Sequence, residues 1–178
     1  MRIIAGTARG RRLQAPKGDR VRPTLDRVRE ALFNILAPRI NGARFLDLYA
    51  GSGANGIEAL SRGAASAFFV DNHAESHAVI QKNLEITGFS SVGSAMRYNL
   101  PQDLGRIPGS FDIIFADPPY GYQGHHELLE GLATSGRVEP GGVVIIEHLR
   151  KSDLPETAGA LNRTQVRPYG ATTLSFYA

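Results

Sequence analysis

Apolar residues recur along this chain first at helical spacing and then in short buried runs, and the change of period falls near residue 40. Leu25, Val28, Leu32, Ile35 and Leu36 repeat every three or four positions, which predicts a helix with one apolar face. Thr24 stands at the expected N-cap, Asp26 lies in the first turn where the helix dipole favours a carboxylate, and Pro38 to Gly42 closes the helix. Arg27 and Glu30 fall off the apolar stripe. Earlier in the chain, Ile3-Ile4-Ala5 and Arg11-Arg12-Leu13 flank Gly6 to Gly10, a glycine-bounded turn that predicts a short β-hairpin. Pro16-Lys17-Gly18 and Arg22-Pro23 keep residues 14–23 extended or looped.

From Arg44 onward, strands and helices alternate. Phe45 to Leu48 reads as a strand, Gly51 to Gly56 as a glycine-rich turn, Ile57 to Arg62 as a short helix and Ala67 to Val70 as a second strand. His73 to Thr87 is helical and stops at Gly88, and a weak third strand lies near Ser91 to Ala95. Phe111 to Ala116 has five apolar residues in six, as a central strand covered on both faces requires. Glu127 to Thr134 is helical, and Gly142 to Glu147 is a fifth strand. Thr164 to Arg167 and Thr172 to Tyr177 alternate around Pro168-Tyr169-Gly170, which predicts a closing antiparallel pair. This alternation predicts a doubly wound α/β sheet.

Composition adds a charge asymmetry to this picture. The first 40 residues hold ten Lys/Arg against three acidic residues, an excess of seven, while the net charge of +3 leaves the remainder at −4. A basic arm on a mildly acidic body points to a polyanion such as nucleic acid, with Arg2, Arg9, Arg11, Arg12, Arg22 and Arg27 as phosphate contacts. A solvated basic surface is the plainer alternative. There is no cysteine, which excludes disulfides, a thiolate metal site and a cysteine nucleophile. No apolar run is long enough for a membrane span or a secretory signal, so a cytoplasmic protein is expected.

Gly51, Gly53 and Gly56 spell G-x-G-x-x-G between a strand and a helix, and Asp71 follows Gly51 by twenty residues. Alone, that is a dinucleotide fingerprint. Asp47 redirects it. A carboxylate just before the turn would face the pyrophosphate of NAD, but it suits the ammonium of a methionine-like tail. S-adenosylmethionine is therefore the expected cofactor, with Gly51 and Gly53 allowing close approach, Asp71 at the ribose and Asp47 at the amino-acid end. Plainer roles remain open, with Asp47 as a turn carboxylate and Asp71 as a helix cap.

The fourth strand runs into Asp117-Pro118-Pro119-Tyr120. Two prolines end sheet pairing and stiffen the loop, holding a carboxylate and a ring just past the carboxyl end of a strand, where such sheets bind ligands. Asp117 and the Pro118 carbonyl can accept both hydrogens of an exocyclic amine, and Tyr120 can stack on an unpaired base. The bland alternative is a rigid turn. His125 and His126 lack a carboxylate at metal spacing and read as surface or substrate-contact residues.

Phe45 to Gly56 and Asp117-Pro-Pro-Tyr120 resemble the cofactor and catalytic motifs of Rossmann-like amino-methyltransferases. The segments Arg2 to Gly6, Arg9-Gly-Arg11 and Arg22 to Leu36, with Tyr169 to Thr172 and Phe176-Tyr177, resemble the RsmD-type 16S rRNA guanine-N2 methyltransferases over nearly the whole chain. The resemblance implies a class I methyltransferase fold with a seven-stranded sheet and a C-terminal antiparallel hairpin. It also implies two parts, a basic RNA-binding hairpin-plus-helix extension over residues 1–40 and a methyltransferase domain over 41–178. By the same resemblance, Asp117, Pro118, Pro119 and Tyr120 are catalytic, and Asp47, Tyr49, Ala50, Gly51, Ser52, Gly53, Gly56, Asp71, Asn72 and Asp117 bind the cofactor. Many enzymes of this fold hold the adenine amine with an acidic residue after the third strand. This chain has Ser94-Ala95-Met96 there, so backbone atoms of Ala95 and the Met96 side chain are expected instead. The implied partner is 16S rRNA in the small ribosomal subunit or its assembly precursor, met by a monomer without a metal or a membrane. Adenine-N6 methylation of DNA or RNA, or a non-catalytic RNA-binding assembly role, are the alternatives.

Overall fold

The apolar run Phe111 to Ala116 forms a strand at the middle of one sheet, buried from both sides. A computed structural model describes residues 1–16 and 26–178. The order of elements is α1 (Asp26–Ile40), β1 (Arg44–Leu48), α2 (Ala54–Ser61), β2 (Ser66–Val70), α3 (Ala74–Thr87), β3 (Gly93–Met96), a short 3-10 turn (Leu104–Arg106), β4 (Phe111–Ala116), α4 (His125–Thr134), β5 (Val138–Leu149), β6 (Thr157–Ala158), β7 (Leu161–Tyr169) and β8 (Thr172–Tyr177). The strands lie in the order β3-β2-β1-β4-β5-β8-β7-β6. The first five are parallel, and β8, β7 and β6 join antiparallel. The chain moves outward through β2 and β3 on one side of β1, then returns to place β4 on the other. The gap between β1 and β4 is thus the topological switch point, where ligands of open α/β sheets bind.

Side chains alternate between two cores, as the twofold period of a strand dictates. Phe45, Ile113, Phe115, Val143 and Ile145 face α1, α2 and α3, whereas Leu46, Leu48, Ile114, Ala116, Val144 and Ile146 face α4 and the 3-10 turn. The sheet has one strand more than the seven expected. The extra strand, β6, has two residues on the outer edge of β7, too few for alternation to show in sequence. Helix α1 also runs beyond Pro38 to Ile40. Pro38 removes one donor, but Ile40 is buried and the Arg39 guanidinium donates to the Gly141 carbonyl at 3.1 Å, which holds the last turn in place. The looped stretch 17–23, the Thr24 cap and the Arg22 phosphate contact lie outside the described residues.

Residues 1–13 form a tight hairpin with one bridge, Arg2 to Arg12, and its apolar side chains Ile3, Ala8 and Leu13 join the same core as α1 and α2. The hairpin is fastened by buried polar groups. Both oxygens of Glu58 accept main-chain N–H groups, from Ile4 at 2.8 Å and Ala5 at 3.0 Å. Ser61 accepts from the Ala8 N–H at 3.0 Å and donates to the Ala5 carbonyl at 2.6 Å. Gly6 passes so close that a Cβ there would lie 1.8 Å from the Ser61 carbonyl oxygen, which excludes any larger residue.

Arg29 lies fully buried on the inner side of α1. Its Nη2 donates to the Arg2 carbonyl at 2.6 Å and to Asp26 at 2.9 Å, and its Nε stands 3.8 Å from Glu58. Burial lowers its pKa, opposed by Glu58 and Asp26. Arg29 is thus a structural cation tying α1 to the hairpin. No helix among the described residues is long and apolar enough to cross a membrane.

Candidate active site

The glycine turn is braced from two sides. At the end of β1, Tyr49 takes a left-handed backbone conformation (φ 58°) and Gly51 and Gly53 follow with φ of 54° and 77°. The Gly53 N–H closes the turn on the Ala50 carbonyl at 2.7 Å, and α2 begins at the next residue. Asp47, buried beneath, accepts the Gly56 N–H at 2.8 Å. Asp71, at the end of β2, accepts the Gly51 N–H at 2.9 Å with one oxygen and the His73 N–H at 2.9 Å with the other. Gly56 serves helix–strand packing, because a Cβ there would lie 2.2 Å from the Phe69 ring.

This places the expected roles in context. Asp47 is 1% exposed, and burial raises its pKa to about 8 despite the hydrogen bond from Gly56. Asp47 is therefore first a turn carboxylate. Asp71 acts in the turn and at the start of α3, and its side chain is still partly open to solvent. Ser52 is buried; its carbonyl accepts the Asn83 side-chain N–H at 2.9 Å, and Asn83 also bonds both main-chain groups of Gln14. Ala50 donates its N–H to the Val70 carbonyl at 3.0 Å.

Asn72 is exposed beside Asp71, and its carbonyl faces the Arg97 guanidinium at 3.4 Å. Met96 is 43% exposed at the end of β3, and the Ala95 carbonyl lies 3.1 Å from His77 Nε2. The rim of β1, β2 and β3 thus offers main chain approachable at two glycines, a carboxylate and an exposed thioether. This donor set fits an adenine nucleoside with a charged tail.

The second loop meets the first. Asp117 continues the β1–β4 ladder by one residue, its N–H donating to the Leu48 carbonyl at 3.3 Å. Pro118 is buried and Pro119 exposed, and the Tyr122 N–H closes the turn on the Pro119 carbonyl at 3.0 Å. Tyr120 is 80% exposed, a free ring at the rim of the sheet. The Tyr49 hydroxyl donates to the Tyr122 hydroxyl at 3.1 Å, with the rings edge to face at 5.7 Å. Burial raises the pKa of both phenols.

Tyr122 also packs edge-on against His125 at 5.1 Å, and the His148 ring lies 6.2 Å beyond. His125 is buried and its pKa is lowered by desolvation, so it is a packing ring and not a surface residue; His126 is exposed. Among the described residues, no group of three or more His, Asp or Glu side chains is arranged to hold a metal.

Arg2, Arg9, Arg11, Arg12 and Arg27 are all exposed. Sequence reasoning missed Glu58, Ser61, Asn83 and Tyr122. Asn83 carried a signal, as a polar residue in register with the apolar Ile80 and Leu84 of α3. Tyr122 carried another, an aromatic residue followed by Gly124, where a Cβ would come within 2.7 Å of its hydroxyl oxygen.

Residues 1–178 match the protein family described as conserved hypothetical protein 95. The Bacillus subtilis protein YlbH is 38% identical over 99% of this chain and 98% of its own length. The Ribosomal RNA small subunit methyltransferase D of Escherichia coli K12 is 38% identical over 87% of this chain and 78% of its own. Among solved structures, the Escherichia coli protein YhhF superposes with a TM-score of 0.85 at 33% identity, covering 99% of this chain and 96% of that one.

Proposed function

Because the chain belongs to the RsmD-type family of ribosomal RNA methyltransferases, we propose that it methylates the exocyclic N2 amine of a guanine in 16S rRNA. The observation that carries this reading is the junction of the two loops. The Asp117 N–H bonds the end of β1, and Tyr122 bonds Tyr49, so the Asp-Pro-Pro-Tyr loop and the glycine turn share one rim.

S-adenosylmethionine is the methyl donor and supplies an electrophilic methyl group on sulfur. Gly51 and Gly53 let the main chain approach it, Asp71 accepts from its ribose hydroxyls, and Asp47 lies beneath its amino-acid end. The Met96 side chain and the Ala95 backbone border the adenine. On the acceptor side, the guanine amine is a weak nucleophile because its lone pair is delocalised into the ring. Asp117 and the Pro118 carbonyl accept its two hydrogens and leave the lone pair aimed at the methyl, while Tyr120 stacks on the base. The nitrogen that gains the methyl would shed one proton, and the Asp117 carboxylate that accepts its N–H would take it, while the sulfur would keep the electron pair of the broken C–S bond.

The exposed Arg2, Arg9, Arg11, Arg12 and Arg27 bring the RNA. The substrate is the small subunit or its assembly precursor, met in the cytoplasm by a monomer.

The test is incubation with tritiated S-adenosylmethionine and small subunits from cells lacking this activity, followed by nucleoside analysis. Label in N2-methylguanosine is expected, and Asp117→Ala should abolish it while RNA binding is kept. Label in N6-methyladenosine would replace guanine by adenine as the acceptor. No label with RNA bound would leave a non-catalytic binding role.

A further inference from the structure

The open end of the hairpin and the catalytic loop occupy only part of the rim on which the site lies. The hairpin of residues 1–13 lies along α2, with its tip at Ser61 and its open end near the glycine turn, where Met1 meets Ser52 and the following Gln14 meets Asn83 of α3. The catalytic loop follows β4. On its other side come β5 and β8, and the register fixes what stands there. Ala116 of β4 is level with Ile146 of β5, so β5 runs on past the end of β4 through His148 and Leu149, still paired with β8, beside the Asp-Pro-Pro-Tyr loop, and Arg150 and Lys151 come next. The Arg150 N–H donates to the Ala171 carbonyl at 3.0 Å, which brings the β7–β8 turn to the same edge. Within that turn Tyr169 pairs with Thr172, and Arg167 stands two residues back on the same face as Tyr169. This accounts for the position of the Tyr169 to Thr172 motif, which the glycine turn and the catalytic loop leave without a role.

Arg150, Lys151 and Arg167 are exposed, and none has an ion pair among the described residues. Arg167 makes one long contact, 3.4 Å to the Gln165 side chain. Arg163, on the same hairpin, is already held by Glu156 at 3.6 Å and by the Leu154 carbonyl at 3.0 Å. Two carboxylates are near in chain or register: Asp153, two residues after Lys151, and Glu147, buried and level with Leu174, the partner of Arg167. Three unpaired cations thus stand together in the part of the chain whose net charge is −4.

We propose that Arg150, Lys151 and Arg167 form a second phosphate-binding surface for the RNA substrate, across the catalytic loop from the basic arm. The inference rests on the RNA methyltransferase reading above. From β2 to β8 the sheet order counts four strand spacings, about 19 Å at the usual separation. An RNA segment held by the arm on one side and by this surface on the other crosses Tyr120 and Asp117 between them. The arm alone would hold RNA at one side of the loop; the second surface aligns it over the reacting amine.

The experiment compares the parent, the triple variant R150A/K151A/R167A and R39A; Arg39 contacts Gly141 near the amino-terminal end of β5, away from the rim. Binding to small-subunit RNA is measured across salt concentrations, with methyl transfer and S-adenosylmethionine affinity in parallel. The triple variant should raise the KM for RNA at least tenfold, keep its S-adenosylmethionine affinity, and flatten the log–log salt slope by about 2, near 0.7 per single-strand phosphate lost. R39A should leave the slope unchanged. A triple variant with the parent's salt slope and KM overturns the proposal, as does a per-charge loss from R39A equal to that of the triple variant. A parent that binds RNA but transfers no methyl group would refute the enzymatic reading instead, and the salt slopes would still decide the surface.

Discussion

The side chain of Asn83 donates to the main-chain carbonyl of Ser52 at 2.9 Å, which hangs the glycine turn from α3. The same amide holds Gln14, accepting its N–H at 2.8 Å and donating to its carbonyl at 3.0 Å. One buried side chain therefore positions both the turn and the exit of the basic hairpin. Asn83→Ala leaves the Ser52 and Gln14 carbonyls without this donor, at a cost of about 1–3 kcal/mol. The expected result is a higher KM for S-adenosylmethionine with a smaller effect on kcat, measured by steady-state methyl transfer. Asn83→Asp should be worse than Ala, because a carboxylate would face two carbonyl oxygens; equal behaviour of the two variants would contradict this role.

Tyr49 and Tyr122 are expected to act as a pair. Tyr49→Phe and Tyr122→Phe each remove one hydroxyl from a single hydrogen bond. Each should cost about 1 kcal/mol of stability and several-fold in kcat. The double variant should lose no more than the worse single one. A double-mutant cycle on turnover and on denaturant unfolding measures this, and additive losses would show that the two hydroxyls act separately.

Glu58 is the buried anion of the arm interface, contacted by two main-chain N–H groups and by Arg62 at 2.7 Å. Glu58→Gln turns one acceptor into a donor and leaves Arg29 and Arg62 without their shared carboxylate. We expect a loss of about 3–5 kcal/mol, the usual cost of breaking a buried ion pair from one side. Limited proteolysis should then cut within residues 1–13, which the parent protects. A variant as stable and as resistant as the parent would refute this.

Asp47 gives a pH dependence of definite sign. Its folded-state pKa lies near 8, against an ordinary 3.8. Between those values the native protein keeps a proton that the unfolded chain has lost, so this group's contribution to stability falls as pH rises. Asp47→Asn stays neutral and can still accept the Gly56 N–H. Its stability relative to the parent should therefore grow from pH 5 to pH 8, by at most about 1.4 kcal/mol per pH unit. Urea unfolding of the cofactor-free protein across that range checks it, and a constant difference would count against the proton.

Strands buried on both faces were plain in the sequence because their apolar runs end at glycine, proline or aspartate. β1, β2 and β4 fall within one residue of their expected bounds. β3 begins two residues later than expected, at Gly93, where the Leu84 side chain leaves no room for a Cβ. Contacts made by polar residues inside helices were harder to read. Arg29 shares the apolar side of α1 with Phe33, four residues on, yet nothing local to it marks a buried cation. Its partners, the Arg2 carbonyl and Glu58, come from elsewhere in the chain and become neighbours only on folding. The turn roles of Asp47 and Asp71 were open as alternatives, and which N–H groups they accept depends on the β1–β2 register.

The eight-residue helix α2 carries the glycine turn at its front and, through Glu58 and Ser61, the basic hairpin at its back. The hairpin is therefore not a detachable module. Deleting it would strip Ile3, Ala8 and Leu13 from the shared core and leave the Glu58 carboxylate facing solvent behind the turn. A designer who wished to redirect this enzyme by exchanging its arm would have to transplant α2 as well. With α2 would come the geometry of the glycine turn that precedes it.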